Sequence, residues 1–146
     1  MTRETILLVE DDEDDIFMMK HALEKGRIDR PLQVVTNGQM AMDYLVGTGD
    51  YADRVRFPLP FIIFLDLKVP YVHGFEVLSW IRSQPHFKQL PVVLLSSSNR
   101  PEDVSRAYEH GANSYLVKPH DLHSLVEMAK TIDLYWVRTN TSHASV

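Results

Sequence analysis

Five short apolar segments of this sequence each end at polar side chains that could take part in chemistry. In chain order, the residues that follow them are Glu10 and Asp11, Asn37, Asp66, Ser96, and Lys118. An unbroken apolar run such as residues 61–65 is typical of a strand that is buried on both faces. A carboxylate at the end of such a strand is costly unless a cation, hydrogen-bond donors or a reaction compensates its charge. Asp66 is therefore the residue to explain.

The acidic residues in this set indicate a metal site. Glu10, Asp11 and Asp66 would repel one another in one place unless a hard divalent cation lay among them. Mg²⁺ prefers oxygen ligands and leaves several positions to water or phosphate. With its charge compensated, Asp66 could attack a phosphoryl group, while Ser96 and Lys118 donate to the oxygens of that group. The pattern predicts a Mg²⁺-dependent phosphoryl acceptor.

The remaining acids of the first acidic run need no such role. Asp12 is expected to be a bystander, and Asp14 and Asp15 suit the positive end of the helix that follows. His120 and His123 are three residues apart near the start of the last helix, but no third ligand accompanies them. Both are expected to be surface histidines.

The elements that must position these residues alternate along the chain. Apolar stretches of strand length alternate with segments of helical periodicity. Five strands alternating with five helices predict an α/β fold, a doubly wound five-stranded parallel sheet with helices on both faces. Function in such sheets gathers at the carboxyl ends of the strands, so the polar residues there should meet. One long connection, residues 47–60, is predicted to be functional or mobile.

Composition limits the remaining possibilities. The chain has 146 residues, 45% of them hydrophobic, a formal net charge of -5 and no cysteine. We predict one domain over residues 1–138 and a flexible polar tail over residues 139–146. The acidic balance argues against direct nucleic-acid binding, and no apolar segment reaches the length of a membrane span. The absence of cysteine excludes disulfides and thiol catalysis and fits a cytoplasmic protein.

The set Glu10-Asp11, Asp66, Ser96 and Lys118-Pro119 resembles the receiver domain of two-component response regulators across essentially the whole chain. The resemblance implies the flavodoxin-like receiver fold with strand order 2-1-3-4-5. It also implies a signalling protein rather than an enzyme. Such a domain accepts a phosphoryl group from the phosphohistidine of a sensor histidine kinase and later dephosphorylates itself.

Carried over residue by residue, the resemblance implies that Asp66 is the phosphoacceptor. Glu10, Asp11 and Asp66 would hold Mg²⁺ or Mn²⁺, together with the backbone carbonyl of Lys68. Lys118 would contact the phosphoryl group. A cis bond before Pro119 would be one way to aim that lysine inward, but the sequence does not determine the isomer.

The resemblance also assigns a switch and shows two departures. Ser96 and Tyr115 would form the switch pair, in which the hydroxyl turns toward the phosphate and the aromatic ring rotates inward. Lys68 stands where the family often has Asn, and His73 stands where Asp is common. A further cation beside the phosphate could change the lifetime of the phosphoryl group.

Several segments resemble a narrower group, the single-domain regulators that pair with phytochrome-type histidine kinases. These segments are residues 43–51, 97–103 and 112–115. The implied partner is a sensor histidine kinase such as a bacteriophytochrome. Since no output domain is expected after the last helix, the signal would act through a surface that changes on phosphorylation.

The last helix is apolar on more than one face from Ile132 onward. We predict a homodimer through this helix, with Ile132, Tyr135 and Trp136 in the interface. Local burial against the tail or a loop is the alternative for these side chains.

Other functions remain possible for the same fold. A dinucleotide-binding protein would have a glycine-rich loop after the first strand, where this chain has acids. A phosphatase of the aspartyl-phosphate type would have an acid in place of Lys68. The main alternative is a pseudo-receiver, a binding module that acts without phosphorylation.

Overall fold

A computed structural model describes residues 4–139 of the chain, with side chains as far as Trp136. Each of the five apolar segments forms a short strand. The strands are β1 (Ile6–Val9), β2 (Leu32–Val35), β3 (Ile62–Asp66), β4 (Val92–Ser96) and β5 (Ser114–Val117). The central strands β1, β3 and β4 are buried along their whole length, as their uninterrupted apolar sequences predict.

Five helices connect or follow these strands. They are α1 (Glu13–Lys25), α2 (Gly38–Val46), α3 (Gly74–Ser83), α4 (Pro101–Glu109) and α5 (Leu122–Ile132). Short polar side chains cap three of them, because Asp12, Asn37 and Asp121 each accept a hydrogen bond from a backbone N–H of the first turn. A π-helical segment, Asp133–Thr139, continues directly from α5.

The sheet is parallel throughout, with strand order β2-β1-β3-β4-β5. This confirms the predicted fold and strand order. The register pairs Val9 with Leu65 and Asp66 with Leu95, so β1, β3 and β4 end side by side. The polar residues that follow or end these strands are far apart in sequence but therefore lie at one edge of the sheet.

Two hydrophobic layers hold the helices to the sheet. One face of the sheet packs against buried side chains of α2, α3 and α4, and the other against those of α1 and α5. Successive strand residues serve opposite layers: Leu7 and Val9 belong to the first layer, and Ile6 and Leu8 to the second. The sheet is thus covered on both sides, as predicted, and its carboxyl edge remains accessible.

The long connection between α2 and β3 is packed rather than loose. Tyr44, Tyr51 and Phe57 form an aromatic cluster with ring centroids 5.1–6.0 Å apart. The guanidinium of Arg54 donates to the carbonyl oxygens of Tyr44 and Leu45, both at 2.8 Å, and to that of Phe57 at 3.2 Å. Because the last carbonyls of a helix lack partners within it, Arg54 satisfies the carboxyl end of α2.

The three residues predicted to form a dimer interface are not equally accessible. Ile132 is buried within its own chain, and the half-buried Trp136 packs against the α1–α5 layer. The side chain of Tyr135 is 51% exposed. Ile132 and Trp136 thus pack against α1, α5 and the sheet of their own chain. The dimer interface stays a prediction, with Tyr135 as its exposed residue.

Except for the backbone of Thr139, the predicted tail at residues 139–146 lies outside the described residues. None of the helices described between residues 4 and 139 combines the length and the apolar character that a membrane crossing requires.

Candidate functional site

Three carboxylates meet at the carboxyl edge of the sheet. Glu10 follows β1 and its backbone N–H donates to Val35 at 3.0 Å, so strand pairing continues up to this residue. Asp66 ends β3, and both side chains are buried, whereas Asp11 is exposed. Carboxylate oxygens of Glu10, Asp11 and Asp66 lie within 4.8 Å of one another. The structure thus brings together the three side chains predicted to hold a metal ion.

Lys118 extends from the end of β5 into this acidic cluster. Its ammonium donates to Glu10 Oε2 at 2.6 Å and to Asp15 Oδ2 at 2.8 Å, and lies 3.6 Å from Asp66 Oδ2. The backbone N–H of Lys118 donates to the carbonyl oxygen of Ser96 at 2.8 Å. The described chain between residues 4 and 139 contains no cis peptide bond, so the ammonium reaches the cluster with a trans bond before Pro119.

Asp15 belongs to the site, although its sequence position predicts only a place at the helix start. It accepts a charge-assisted hydrogen bond from Lys118. The signal for this role lies in the spacing: Asp15 precedes the buried Met19 by four residues, so both lie on the face of α1 that is turned to the sheet. Asp12 caps α1 instead, with Oδ1 accepting from the Asp15 N–H at 3.0 Å.

The electrostatics of the site reflect its burial and crowding. Burial raises the pKa of Glu10 to about 7 and outweighs the hydrogen bond from Lys118, while the charge of Asp66 raises it further. Burial would lower the pKa of Lys118, but its hydrogen bonds to Asp15 and Glu10 and the charge of Asp66 raise it above the ordinary lysine value. Glu10 and Lys118 therefore form a buried, hydrogen-bonded ion pair beside Asp66.

Ser96 and Tyr115 belong to the neighbouring strands β4 and β5. Ser96 is buried at the end of β4, and its Oγ accepts from the backbone N–H of Ser98 at 3.0 Å. The hydroxyl of Tyr115, on β5, donates to the carbonyl oxygen of Ser98 at 2.8 Å. The two predicted switch residues are thus linked through one residue of the connection between β4 and α4.

The other residues singled out in the sequence have local roles or stand at the surface. Asn37 Oδ1 caps α2, and His73 Nδ1 accepts from the Phe75 N–H at 3.1 Å and caps α3. Lys68, two residues beyond Asp66, has an exposed side chain. The role of its backbone carbonyl as a metal ligand stays a prediction. His120 and His123 are exposed, as expected.

The geometry suits an acidic metal site beside a carboxylate that can accept a transferred group. Asp66 lies between two other acids and an ammonium, and a hydroxyl lies at the end of the next strand. This combination of parallel α/β sheet and carboxyl-edge site defines a class of signalling domains. The chain belongs to the response regulator receiver domain family, whose model matches residues 6–130.

Response regulator Rcp1 of Synechocystis sp. is 37% identical over 96% of this chain and 93% of its own length. The crystal structure of its Mn²⁺-bound form superposes with a TM-score of 0.84 over 97% of this chain and 99% of that chain.

Two further crystal structures are similar along their whole length. A response regulator in red light signalling of R. palustris, RPA3017, has a TM-score of 0.92 at 30% identity, covering 97% of this chain and 99% of that one. The phosphorylated cyanobacterial phytochrome response regulator RcpA has a TM-score of 0.88 at 35% identity, covering 98% and 100%. The likeness to phytochrome-associated regulators, predicted from short segments, is confirmed.

Proposed function

We propose that this receiver domain accepts a phosphoryl group on Asp66 from the phosphohistidine of a sensor kinase and signals in the phosphorylated state. The observation that carries the proposal is the surroundings of Asp66. Its carboxylate lies within 4.8 Å of those of Glu10 and Asp11, and Lys118 Nζ lies 3.6 Å from its Oδ2. A carboxylate needs this kind of charge compensation to approach a phosphoryl group, which is itself anionic.

In the proposed transfer, a carboxylate oxygen of Asp66 forms a bond to phosphorus while the bond from phosphorus to the imidazole nitrogen of the donor breaks. The electron pair of the broken bond stays on that nitrogen, which ends as neutral imidazole. Lys118 and the hydroxyl of Ser96 donate hydrogen bonds to the phosphoryl oxygens. For this role the ammonium of Lys118 moves from Glu10 toward the new group, which its flexible stem permits.

The acidic cluster fits a hard divalent cation. Glu10, Asp11 and Asp66 supply the oxygen donors, since their carboxylate oxygens lie within 4.8 Å of one another. We propose that Mg²⁺ or Mn²⁺ is held by these three carboxylates and the backbone carbonyl of Lys68. Such a cation supplies charge stabilisation to a transferring phosphoryl group. The Mn²⁺-bound form of Rcp1 supports the proposal.

The proposed phosphodonor is a phytochrome-type histidine kinase. Two of the similar structures belong to regulators of red light signalling and of a cyanobacterial phytochrome, and they match this chain from end to end. Lys68 follows Asp66 by two residues and its side chain is exposed, so its positive charge is available to a docking kinase domain.

The test is mass spectrometry of the intact chain after incubation with acetyl phosphate and Mg²⁺. We expect one added phosphoryl group in the wild type and none in Asp66→Asn or in the presence of EDTA. Asp14→Asn is the matched control, because Asp14 is an exposed acid on the first turn of α1. Absence of the wild-type adduct, or an undiminished adduct on Asp66→Asn, would favour the phosphorylation-independent pseudo-receiver.

A further inference from the structure

Ser98 connects the two proposed switch residues to helix α4. Its backbone N–H donates to Ser96 Oγ at 3.0 Å, and its carbonyl oxygen accepts from the Tyr115 hydroxyl at 2.8 Å. Its own hydroxyl donates to Asp103 Oδ2 at 2.6 Å and accepts from the Arg100 N–H at 3.2 Å. Every polar group of Ser98 is therefore engaged, with partners on β4, on β5, in the loop itself and on α4.

The bond to Ser96 leaves that residue able to act on a phosphoryl group. A hydroxyl has one proton to donate and two lone pairs that accept. The N–H of Ser98 occupies one lone pair of Ser96 Oγ, so the proton remains available to a phosphoryl oxygen. A fixed Ser98 backbone thus orients the hydroxyl of Ser96 without consuming its donor.

The side-chain hydrogen bonds of Ser98 hold the backbone of the same residue in place from the side of α4. Asp103 lies in the first turn of α4, which begins after Arg100 without a side-chain cap of its own. The hydroxyl of Ser98 satisfies the backbone N–H of Arg100, and the Asp103 carboxylate holds that hydroxyl in place. Local side-chain bonds of this kind determine loop conformations at the start of helices.

We propose that Ser98, held by Asp103, is a positioning residue that couples the phosphoryl site at Ser96 to Tyr115 and to the start of α4. The inference rests on the proposed phosphorylation of Asp66 and deepens it. When the hydroxyl of Ser96 turns toward a phosphoryl oxygen, the Ser98 N–H that is bonded to it follows, and this moves both the acceptor of the Tyr115 hydroxyl and the anchor of α4. The bond between Ser98 and Asp103 makes that response a single event.

The experiment places fluorotyrosine at position 115 and records its fluorine NMR signal before and after loading with acetyl phosphate and Mg²⁺. Intact mass spectrometry of the same samples measures the adduct on Asp66. In the wild type, loading is expected to shift the signal. In Ser98→Ala the adduct still forms. The fluorine signal reports the equilibrium between two conformations of residue 115, and loading should change that equilibrium constant roughly fivefold less than in the wild type. This factor corresponds to the loss of one capping hydrogen bond.

Three further variants sharpen the test. Ser98→Thr keeps the hydroxyl and should restore the response. Asp103→Ala should reproduce the loss, and the double variant with Ser98→Ala should add little, because both changes remove the same bond. Ser97→Ala is the matched control, since Ser97 is the exposed neighbouring serine.

The outcomes separate the two proposals. A wild-type chain without an adduct overturns the proposed function. An adduct that forms without any shift at position 115, or that shifts the signal equally in wild type, Ser98→Ala and Asp103→Ala, overturns the coupling through Ser98 and leaves phosphorylation intact.

Discussion

The ammonium of Lys118 is closer to Glu10, at 2.6 Å, than to Asp66, at 3.6 Å. The lysine therefore makes its shorter ion pair with Glu10 and a longer one with the proposed phosphoacceptor, Asp66. Burial of the Glu10 side chain strengthens its hydrogen bond with Lys118 and raises the free-energy cost of breaking that bond. The same contact stabilises the fold and keeps the ammonium beside Asp66.

Removal of the ammonium should destabilise the chain through Glu10. We expect Lys118→Met to lower the free energy of unfolding by about 2 kcal/mol in EDTA, because a buried carboxylate loses its charged donor. Urea unfolding followed by circular dichroism measures the effect. Lys20→Met, at an exposed position of α1, should change stability by less than about 0.5 kcal/mol. Equal stabilities of the two variants would contradict the role of Lys118.

Loss of a metal ligand should weaken cation binding without unfolding the chain. Asp11 is exposed, so Asp11→Asn should fold normally and bind Mg²⁺ roughly tenfold more weakly, since affinity depends on the charge of the ligands. Isothermal titration calorimetry measures the affinity, with Asp14→Asn as the control. Unchanged affinity in Asp11→Asn would exclude this carboxylate from the site.

Arg54 should be the residue on which the connection between α2 and β3 depends. Arg54→Ala loses the three carbonyl contacts, and we expect a cost of about 2 kcal/mol together with faster amide exchange in residues 49–57. Arg54→Lys should not restore stability, because an ammonium lacks the planar, forked donors of a guanidinium. Arg56→Lys, two residues on, is the control. If the control exchanges as fast as Arg54→Ala, the contacts of Arg54 are not what holds this segment.

The stability of the fold should fall at alkaline pH through Tyr44. Burial raises the pKa of Tyr44 from 10.0 to about 12, and its hydroxyl donates to the Pro58 carbonyl oxygen at 2.7 Å. The raised folded-state pKa contributes stability below pH 10, and this is lost as the pH rises toward 12.

Over that pH range the wild type should lose on the order of 2 kcal/mol more stability than Tyr44→Phe, which cannot ionise there. The variant itself should be about 1 kcal/mol less stable at neutral pH, because it loses the hydrogen bond. Parallel pH profiles of the two chains would argue against ionisation of Tyr44.

Gly38 permits a close contact between α2 and the connection after β3. A Cβ added at Gly38 would overlap the carbonyl oxygen of Val72 and lie 2.7 Å from the Cβ of Val72. The Gly38 N–H also donates to the carbonyl oxygen of Pro70 at 3.2 Å. Alanine usually stabilises a helix relative to glycine, but here we expect Gly38→Ala to cost about 2 kcal/mol. Thermal unfolding measures this, with the adjacent Gln39→Ala as the control. A higher melting temperature for Gly38→Ala would show that the contact yields easily.

We propose that the chain forms a dimer through the carboxyl-terminal segment and that this dimer depends on Tyr135. Tyr135 is 51% exposed, whereas Ile132 and Trp136 pack within the chain. Tyr135→Ala should therefore halve the mass observed by light scattering without a large loss of stability. Phe17→Ala, which removes an exposed ring from α1, should leave the mass unchanged. An unaltered mass for Tyr135→Ala would rule out this interface.

Much of the site follows from the sequence because parallel strands end at one edge. Once β1, β3, β4 and β5 were predicted, Glu10, Asp66, Ser96 and Lys118 had to lie close together. The fold was predictable for the same reason, since each strand and helix carries its own periodicity and the caps mark the helix starts. The resemblance to receiver domains added roles to residues that were already gathered in one place.

Other features could not be predicted in this way. They are the pairing of Lys118 with Asp15, the contacts of Ser98, the packed connection after α2 and the packing of Trp136. Each depends on side chains from elements that are in contact only in the folded chain. The local sequence pattern does not determine which of several partners a long side chain contacts.

The sequence alone determined the parallel α/β sheet and the residues at its carboxyl edge, because hydrophobic periodicity and strand ends are local properties. The tertiary structure alone decided that Lys118 lies between Glu10 and Asp15 and that Ser98 joins Ser96 to Tyr115 and Asp103. Those contacts arise from packing of α1 and α4 against the sheet, which places Asp15 of α1 beside Lys118, 103 residues further along the chain.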